Sequence, residues 1–481
     1  MNKIQICTLV ASITLSNAPS LAHAYQISPN PNPSGSTITV IALDAENYLS
    51  FQNWGDLQIN AGGILYNYDW LNNVGKLTNS GNLYNSRNLE NYYILDNIGT
   101  LNNDLYLSNY FGSTLDNSGL LNNAGTLNNA GTLNNVGTIF NINALNNLSG
   151  SALNNYGDLN NTSTLTNDGL LDNYFGTLNN TGILSNSGTL LIGIYQLDNL
   201  TSGTLNNSGL LDNFGTLNNA GTLNNTGTLK SYSLNNTGTL NNNFGGTLNN
   251  TGTLNNNFGG ILNNYGSMEN NGTFKNEGGA VTNDATGTVT GTGTYFQTAG
   301  QTTNNGAMTQ ALFDIQGGNV SGTGIFTGDM LIGSGATFNP GNSPGTVTVN
   351  GEFTSGGTLI FEVAGLSAGL FDVLNINGNA FFNGGSIQFD FIDGFSASAG
   401  DYWDFLFADS ITGWDTLSFS FNGLSEGLGA NFVNTGRHMT LSLNTVSPVP
   451  EPETYSMLLV GLGLIGFIAR RRNKSGTMSF A

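Results

Sequence analysis

Leu121-Asn122-Asn123-Ala124-Gly125-Thr126-Leu127-Asn128-Asn129-Ala130-Gly131-Thr132-Leu133-Asn134-Asn135-Val136-Gly137-Thr138 is one six-residue unit written three times. Followed outward, the unit runs from Leu57 to Val281, and a fixed short period over roughly 36 copies is the mark of a solenoid. Most units step by six residues. Some step by eight, as from Leu107 to Leu115, Leu240 to Leu248 and Leu254 to Leu262, often with an aromatic inserted: Tyr110-Phe111, Phe244, Phe258.

The unit's variation is as informative as its constancy. Position one is Leu almost throughout, with Ile139, Met268, Phe274 and Val281 as apolar substitutes. Position two varies freely: Thr78, Tyr84, Glu90, Asp96, Ser108, Asp116. Position three is Asn in nearly every copy: Asn79, Asn85, Asn91, Asn97, Asn109, Asn117. Strand side chains alternate faces, so positions one and three point inward and position two meets solvent. Stacked coils then place the asparagines in a column, each amide bonding the next at ~4.8 Å. Gly at position five is expected to supply a positive φ at the corner.

One unit cannot fold alone. Ordering six backbones costs roughly 6–12 kcal/mol, and a buried Leu returns about 1.5–3 kcal/mol. Stacking must supply the remainder. Three units per coil predict ~12 coils and a repeat rod of roughly 58 Å. The fold class is therefore all-β, a single-chain parallel β-solenoid, or β-helix, over 57–281, preceded by an N-terminal cap region at 25–56. The handedness does not follow from the period. The competing reading, a low-complexity Asn- and Gly-rich tract, needs no apolar register and leaves the Leu spacing unexplained.

Charge excludes one class of function. The chain has 481 residues, 30 acidic against 10 basic, for a net charge of −20. Between Tyr25 and Val449 the cations are Lys76, Arg87, Lys230, Lys275 and Arg437, too few to displace phosphate counterions from nucleic acid. Cys7 is the only cysteine and lies in the first 24 residues. A chain without that leader has no disulfide, thiol nucleophile or cysteine metal ligand.

Both ends carry targeting patterns. Lys3, the largely apolar stretch 4–15 and Ala22-His23-Ala24 read as a secretory signal peptide over 1–24. Cleavage after Ala24 leaves Tyr25 as the first mature residue, and export through the Sec machinery follows. The alternative, a short membrane anchor, lacks the length to cross ~30 Å of hydrocarbon. At the other end, Pro448, Pro450 and Pro452 make an extended spacer. Pro450-Glu451-Pro452 is followed by the apolar run 457–469 and by Arg470-Arg471-Arg472. As a helix, 455–469 reaches ~22 Å, usable as a transmembrane helix with tilt or local thinning, and the arginines hold the cytoplasmic side.

This tail, 447–481, resembles the PEP-CTERM sorting signal of Gram-negative bacteria. The resemblance rests on Pro450, Glu451, Pro452, the hydrophobic stretch and Arg470, Arg471 and Arg472. It implies recognition by an exosortase, removal of the tail, and delivery to the cell surface or extracellular matrix. The nine-residue extension 473–481 departs from the pattern, and a plain C-terminal anchor is the alternative.

Beyond Val281 the hexads fade into a segment, 282–446, read as irregular strands with Gly turns and then well-alternated strands. Gly317-Gly318-Asn319-Val320-Ser321-Gly322-Thr323-Gly324 and Asn339-Pro340-Gly341-Asn342-Ser343-Pro344-Gly345 resemble the β-helical passenger repeats of autotransporter-type surface proteins. That resemblance covers about 310–445 and implies more parallel β-helix. Leu359, Phe361, Val363 and Ile387, Phe389, Phe391 alternate here. The plain reading is a packed segment that caps the solenoid; the sharper one makes Trp403 and Trp414 a carbohydrate-binding surface.

Catalytic candidates are sparse. His438 is the only histidine after the leader, and no Gly-rich loop ends in Lys-Ser/Thr. Asp390, Asp393, Asp401, Asp404, Asp409 and Asp415 cluster in sequence; paired carboxylates serve glycoside hydrolysis, but solvated loops or loose Ca²⁺ binding are the default. Threonines before each Leu (Thr126, Thr132, Thr216, Thr222) line an outward column of the kind ice-binding solenoids use, interrupted by Lys76, Leu170 and Leu210. The expectation is a non-enzymatic surface or extracellular-matrix protein, structural or adhesive, associated with exopolysaccharide and a biofilm and without a cofactor. The alternatives are a carbohydrate-binding module and a polysaccharide-degrading β-helix enzyme.

Overall fold

Four-residue strands of the type Thr126–Asn129, inner and outer faces alternating, form because every hexad presents two inward side chains. The computed structural model describes residues 25–41, 44–446 and 452–472. The leader with Ala22 and Ala24, the residues Pro450 and Glu451, and the extension 473–481 lie outside the described residues. Tyr25 opens the first short strand, Tyr25–Gln26, paired in parallel with Asp44–Asn47.

Each strand pairs in parallel with the strand three units on, as Thr126–Asn129 does with Ala144–Asn147. Three strands therefore complete one coil, and the whole body makes about 16 turns. The count exceeds the ~12 expected for the hexads because coils continue on both sides of the repeat. The position-one leucines from Leu57 to Leu254 are fully buried and form the core. Backbone groups stay paired around the corners. Val136 N–H and Gly137 N–H both donate to Asn117 C=O, at 2.8 and 3.0 Å, and Thr138 N–H donates to Gly119 C=O at 2.9 Å.

The asparagine columns are real, and there are three of them, one per corner. Asn123 shows the arrangement. Its Nδ2 donates to Asn141 Oδ1 at 2.8 Å and to Ala144 C=O at 2.6 Å, while its Oδ1 accepts from Asn103 Nδ2 at 2.7 Å. Two donors and an acceptor on a short stem are what this corner consumes, and only Asn carries them. The first column runs unbroken from Asn32 through Asn129 to Asn304. The second runs from Asn47 to Asn276 and passes to Gln297. The third is interrupted: Ile192 stands between Asn173 and Asn213, and Ser231 between Asn213 and Asn250.

Two expectations need correction. Position five of the hexads does not use positive φ. Within the repeat, the glycines with φ near +80° are Gly62, Gly112, Gly150, Gly245 and Gly259, all in the longer units, where a tight turn such as Ser113 N–H to Tyr110 C=O bulges outward. The hexad glycines are required for close approach instead. A Cβ on Gly119 falls 2.1 Å from Gly99 O in the neighbouring coil. Position two is also less free than its variety suggests. Where Asn fills it in successive coils, it builds an outer ladder of opposite polarity: Asn122 Nδ2 donates back to Asn102 Oδ1 at 2.8 Å, and Asn154 Nδ2 back to Asn134 Oδ1 at 2.8 Å.

The segment expected to be irregular is the most continuous of all. Ala307–Gly322 and Ile325–Pro340 are sixteen-residue strands paired in parallel along their length. Here rings replace leucines in the core. Phe274, Tyr295, Phe313, Phe326, Phe338 and Phe353 follow one another with centroids 5.0 to 6.3 Å apart. Parallel pairing persists to Ser418–Asn422. Beyond it the expectation of continued parallel β-helix fails: Leu428–Asn434 and His438–Thr445 form an antiparallel hairpin that also pairs antiparallel with Tyr402–Phe407. An antiparallel return turns the chain back on the last coils and ends the stack.

Candidate functional site

Three regions have the chemistry or exposure of a site. The first is a distal cavity of about 500 Å³ lined by Leu366, Phe371, Asp401, Tyr402, Asp404 and Phe407 among others. It gathers two of the six clustered aspartates. Asp404 accepts from Thr440 Oγ1 and Asp401 from Ser398 N–H. Asp390 points elsewhere, accepting from Gln388 Nε2 at 2.9 Å and Asn422 Nδ2 at 2.7 Å. Among the described residues, no group of three or more acidic, His or Cys side chains sits together to hold a metal ion. His438 bonds Thr435 Oγ1 at 2.9 Å and lies against the Phe407 ring, a packed strand residue.

The tryptophan surface is overturned. Trp403 is fully buried, its Nε1–H donating to Gly365 C=O at 2.9 Å, with Phe391 and Phe395 edge-on to it. Trp414 is half-buried against the same core. Both hold the distal coils together.

Many of the exposed rings lie on the solenoid's corners. Position-four side chains follow each inner Asn and point outward. On the corner of the interrupted column, successive coils present Val136, Tyr156, Tyr174 with Phe175, Ile194 with Tyr195, Phe214 and Tyr232, all exposed. Phe175 packs 4.5 Å from Tyr174 and 6.4 Å from both Tyr156 and Tyr195. Sequence reasoning missed this stripe because it treated all units alike. Reading position four in every third unit would have shown it.

Body cations are mostly engaged between coils: Lys76 with Asp96 at 2.6 Å, Arg87 with Asp69 at 3.3 Å, Lys230 with Asp212 at 3.7 Å and Lys275 with Glu277 at 4.0 Å. These surface pairs are worth little each, but they leave no cationic patch among them.

The third region is the C-terminal helix Pro452–Arg472. The proline that closes the Pro450-Glu451-Pro452 motif is its first residue, where a missing N–H costs nothing. Arg470, Arg471 and Arg472 stand at the opposite end, where cations suit the helix dipole. Its apolar side chains from Met457 to Ile468 are exposed. No helix among the described residues is long and apolar enough to cross a membrane, so the transmembrane helix expected here is not found. The reason is length: the apolar run 457–469 rises only ~20 Å before the arginines.

The family model of the PEP-CTERM protein-sorting motif matches residues 448–472. No curated protein matches the chain. The chain thus carries at its C-terminal end the PEP-CTERM sorting motif, the mark of an exported protein processed by an exosortase at the membrane, here attached to a parallel β-solenoid.

Proposed function

We propose that this protein is a structural or adhesive component of the cell surface or extracellular matrix of a Gram-negative bacterium, acting by shape and contact and not by catalysis. The carrying observation is the union of a sorting tail with a rod whose interior is hydrogen-bonded along its length. Such a rod keeps its form outside the cell without any disulfide, since Cys7 is the only cysteine. On this reading the leader is removed after Ala24, the exosortase removes the tail, and extracellular polysaccharide is the partner. Fractionation of the host tests it. The rod is expected in the surface or polymer fraction with both termini shortened. Recovery of the intact chain from the cytoplasm would refute the proposal.

The enzyme reading keeps one foothold, Asp401 and Asp404 beside one cavity. It predicts polysaccharide cleavage that disappears with Asp401→Asn or Asp404→Asn. Unchanged polymer across a glycan panel decides against it.

A further inference from the structure

The three corners are built from the same repeat, yet they differ outside. In the coils where the third corner carries rings, the first presents Ala130, Leu148, Asp168, Ser187, Ser208 and Thr226. The ring-bearing corner is also flanked by a particular column. On the adjoining face, position two reads Asn134, Asn154, Asp172, Leu191, Asp212, Lys230, in register from coil to coil. Stripe and column meet in an open groove of about 350 Å³, lined by Asp212, Phe214, Lys230, Tyr232, Asn249 and Glu269 among others.

From this we infer that the Tyr156–Tyr232 corner is a binding track for a neutral glycan chain lying along the solenoid axis. The inference rests on the surface-protein reading above and locates its contact. The rings supply flat apolar faces with polar tips at small entropic cost. The flanking carboxylates and amides supply acceptors for hydroxyl donors. The coils repeat at ~4.8 Å, the scale of one sugar ring in an extended chain, so successive rings meet successive sugars. Charge selects the class. The groove's one lysine is paired with Asp212, leaving Glu269 and the net charge of −20 to repel an anionic polymer. The same charge opposes a second copy of the chain on this face, and an anionic lipid surface finds no free cation there.

Affinity electrophoresis of the full chain tests the track, in gels holding hydroxyethylcellulose, dextran, galactomannan or xylan, with alginate as the anionic comparison. Retardation is expected in at least one neutral gel and not in alginate. The Phe175→Ala/Phe214→Ala/Tyr232→Ala variant should weaken it at least tenfold with circular dichroism unchanged, because these rings are exposed. Phe111→Ala, on another corner, should leave it intact. Retardation in no neutral gel, or equal retardation of the triple variant, overturns the track. So does sedimentation showing a dimer that the triple variant abolishes, which assigns the stripe to a second copy. A parent chain that reaches the surface fraction yet is retarded in no neutral gel fails the track and keeps the surface reading.

Discussion

Ile192 fills the place in the third asparagine column between Asn173 and Asn213, and Asn213 Oδ1 is left buried without a donor. In the intact columns every such oxygen is fed by the coil before it, so the defect shows what each rung contributes.

Truncating a working rung should cost more than truncating a defective one. Asn123→Ala strips an acceptor from Asn103 and a donor from Asn141, and a loss of about 3 kcal/mol or more is expected. Asn213→Ala removes an amide already missing one bond and should cost ~1–2 kcal/mol less. Ile192→Asn restores both bonds while giving up a buried side chain, and should lie within about 1 kcal/mol of the parent. Hydrogen exchange in the flanking coils measures each local opening. Equal costs at Asn123 and Asn213 would dismiss the rung argument.

Glycines of the two kinds should respond oppositely. Gly119→Ala drives a methyl into Gly99 O at 2.1 Å, and must pry two coils apart. A loss of several kcal/mol is expected, of the overpacking kind. Gly112 has φ +80° and open space around it, so Gly112→Asn, a residue that tolerates this conformation, should cost under about 1 kcal/mol. Thermal melts of the two variants decide the matter; a harmless Gly119→Ala contradicts the close-approach account.

Asp372 makes the distal segment sensitive to pH. Burial raises its carboxyl to about 7, against the backbone N–H donors of Glu362 and Gly345 at 2.7 and 2.6 Å, which pull the other way. The folded pKa therefore exceeds the unfolded one. The group's favourable contribution is complete below the unfolded carboxyl range and is lost as pH rises through about 7. Distal stability should fall between pH ~4 and ~7 by an amount on the order of a few kcal/mol. Asp372→Asn should flatten that slope, whatever it does to absolute stability. A slope that survives the substitution points to another group.

Trp403 should behave as a core residue. Trp403→Ala removes a buried indole and orphans Gly365 C=O, at a cost of about 3–5 kcal/mol, read as early proteolysis of the distal coils. A stable, protease-resistant variant would contradict its burial.

Replacing Arg470, Arg471 and Arg472 together by Ala should block processing of the tail. Intact mass of the exported chain is then expected to retain residues beyond 452. Normal trimming in that variant would remove the arginines from the motif's working part.

Much was decided by sequence alone, and for a local reason. A six-residue period with apolar and Asn positions two apart leaves one way to alternate faces, so the parallel solenoid, an inward asparagine column and buried leucines were legible from Leu121 to Thr138 onward, while the closing of the coils divided that column into three. The sorting tail was equally legible, because Pro450, Glu451, Pro452 and the arginines act as a linear signal. What tertiary structure decided depends on which coils touch. The work of Gly119 follows from the carbonyl of Gly99, twenty residues earlier. Trp403 is interior because its indole meets Phe391, Phe395 and the carbonyl of Gly365, thirty-eight residues earlier, a placement no period encodes. The exposed stripe from Tyr156 to Tyr232 exists only because three units close a coil. A repeat specifies its own neighbours along the chain, but a surface is made by residues about a coil apart, and the turn of the solenoid alone brings those together.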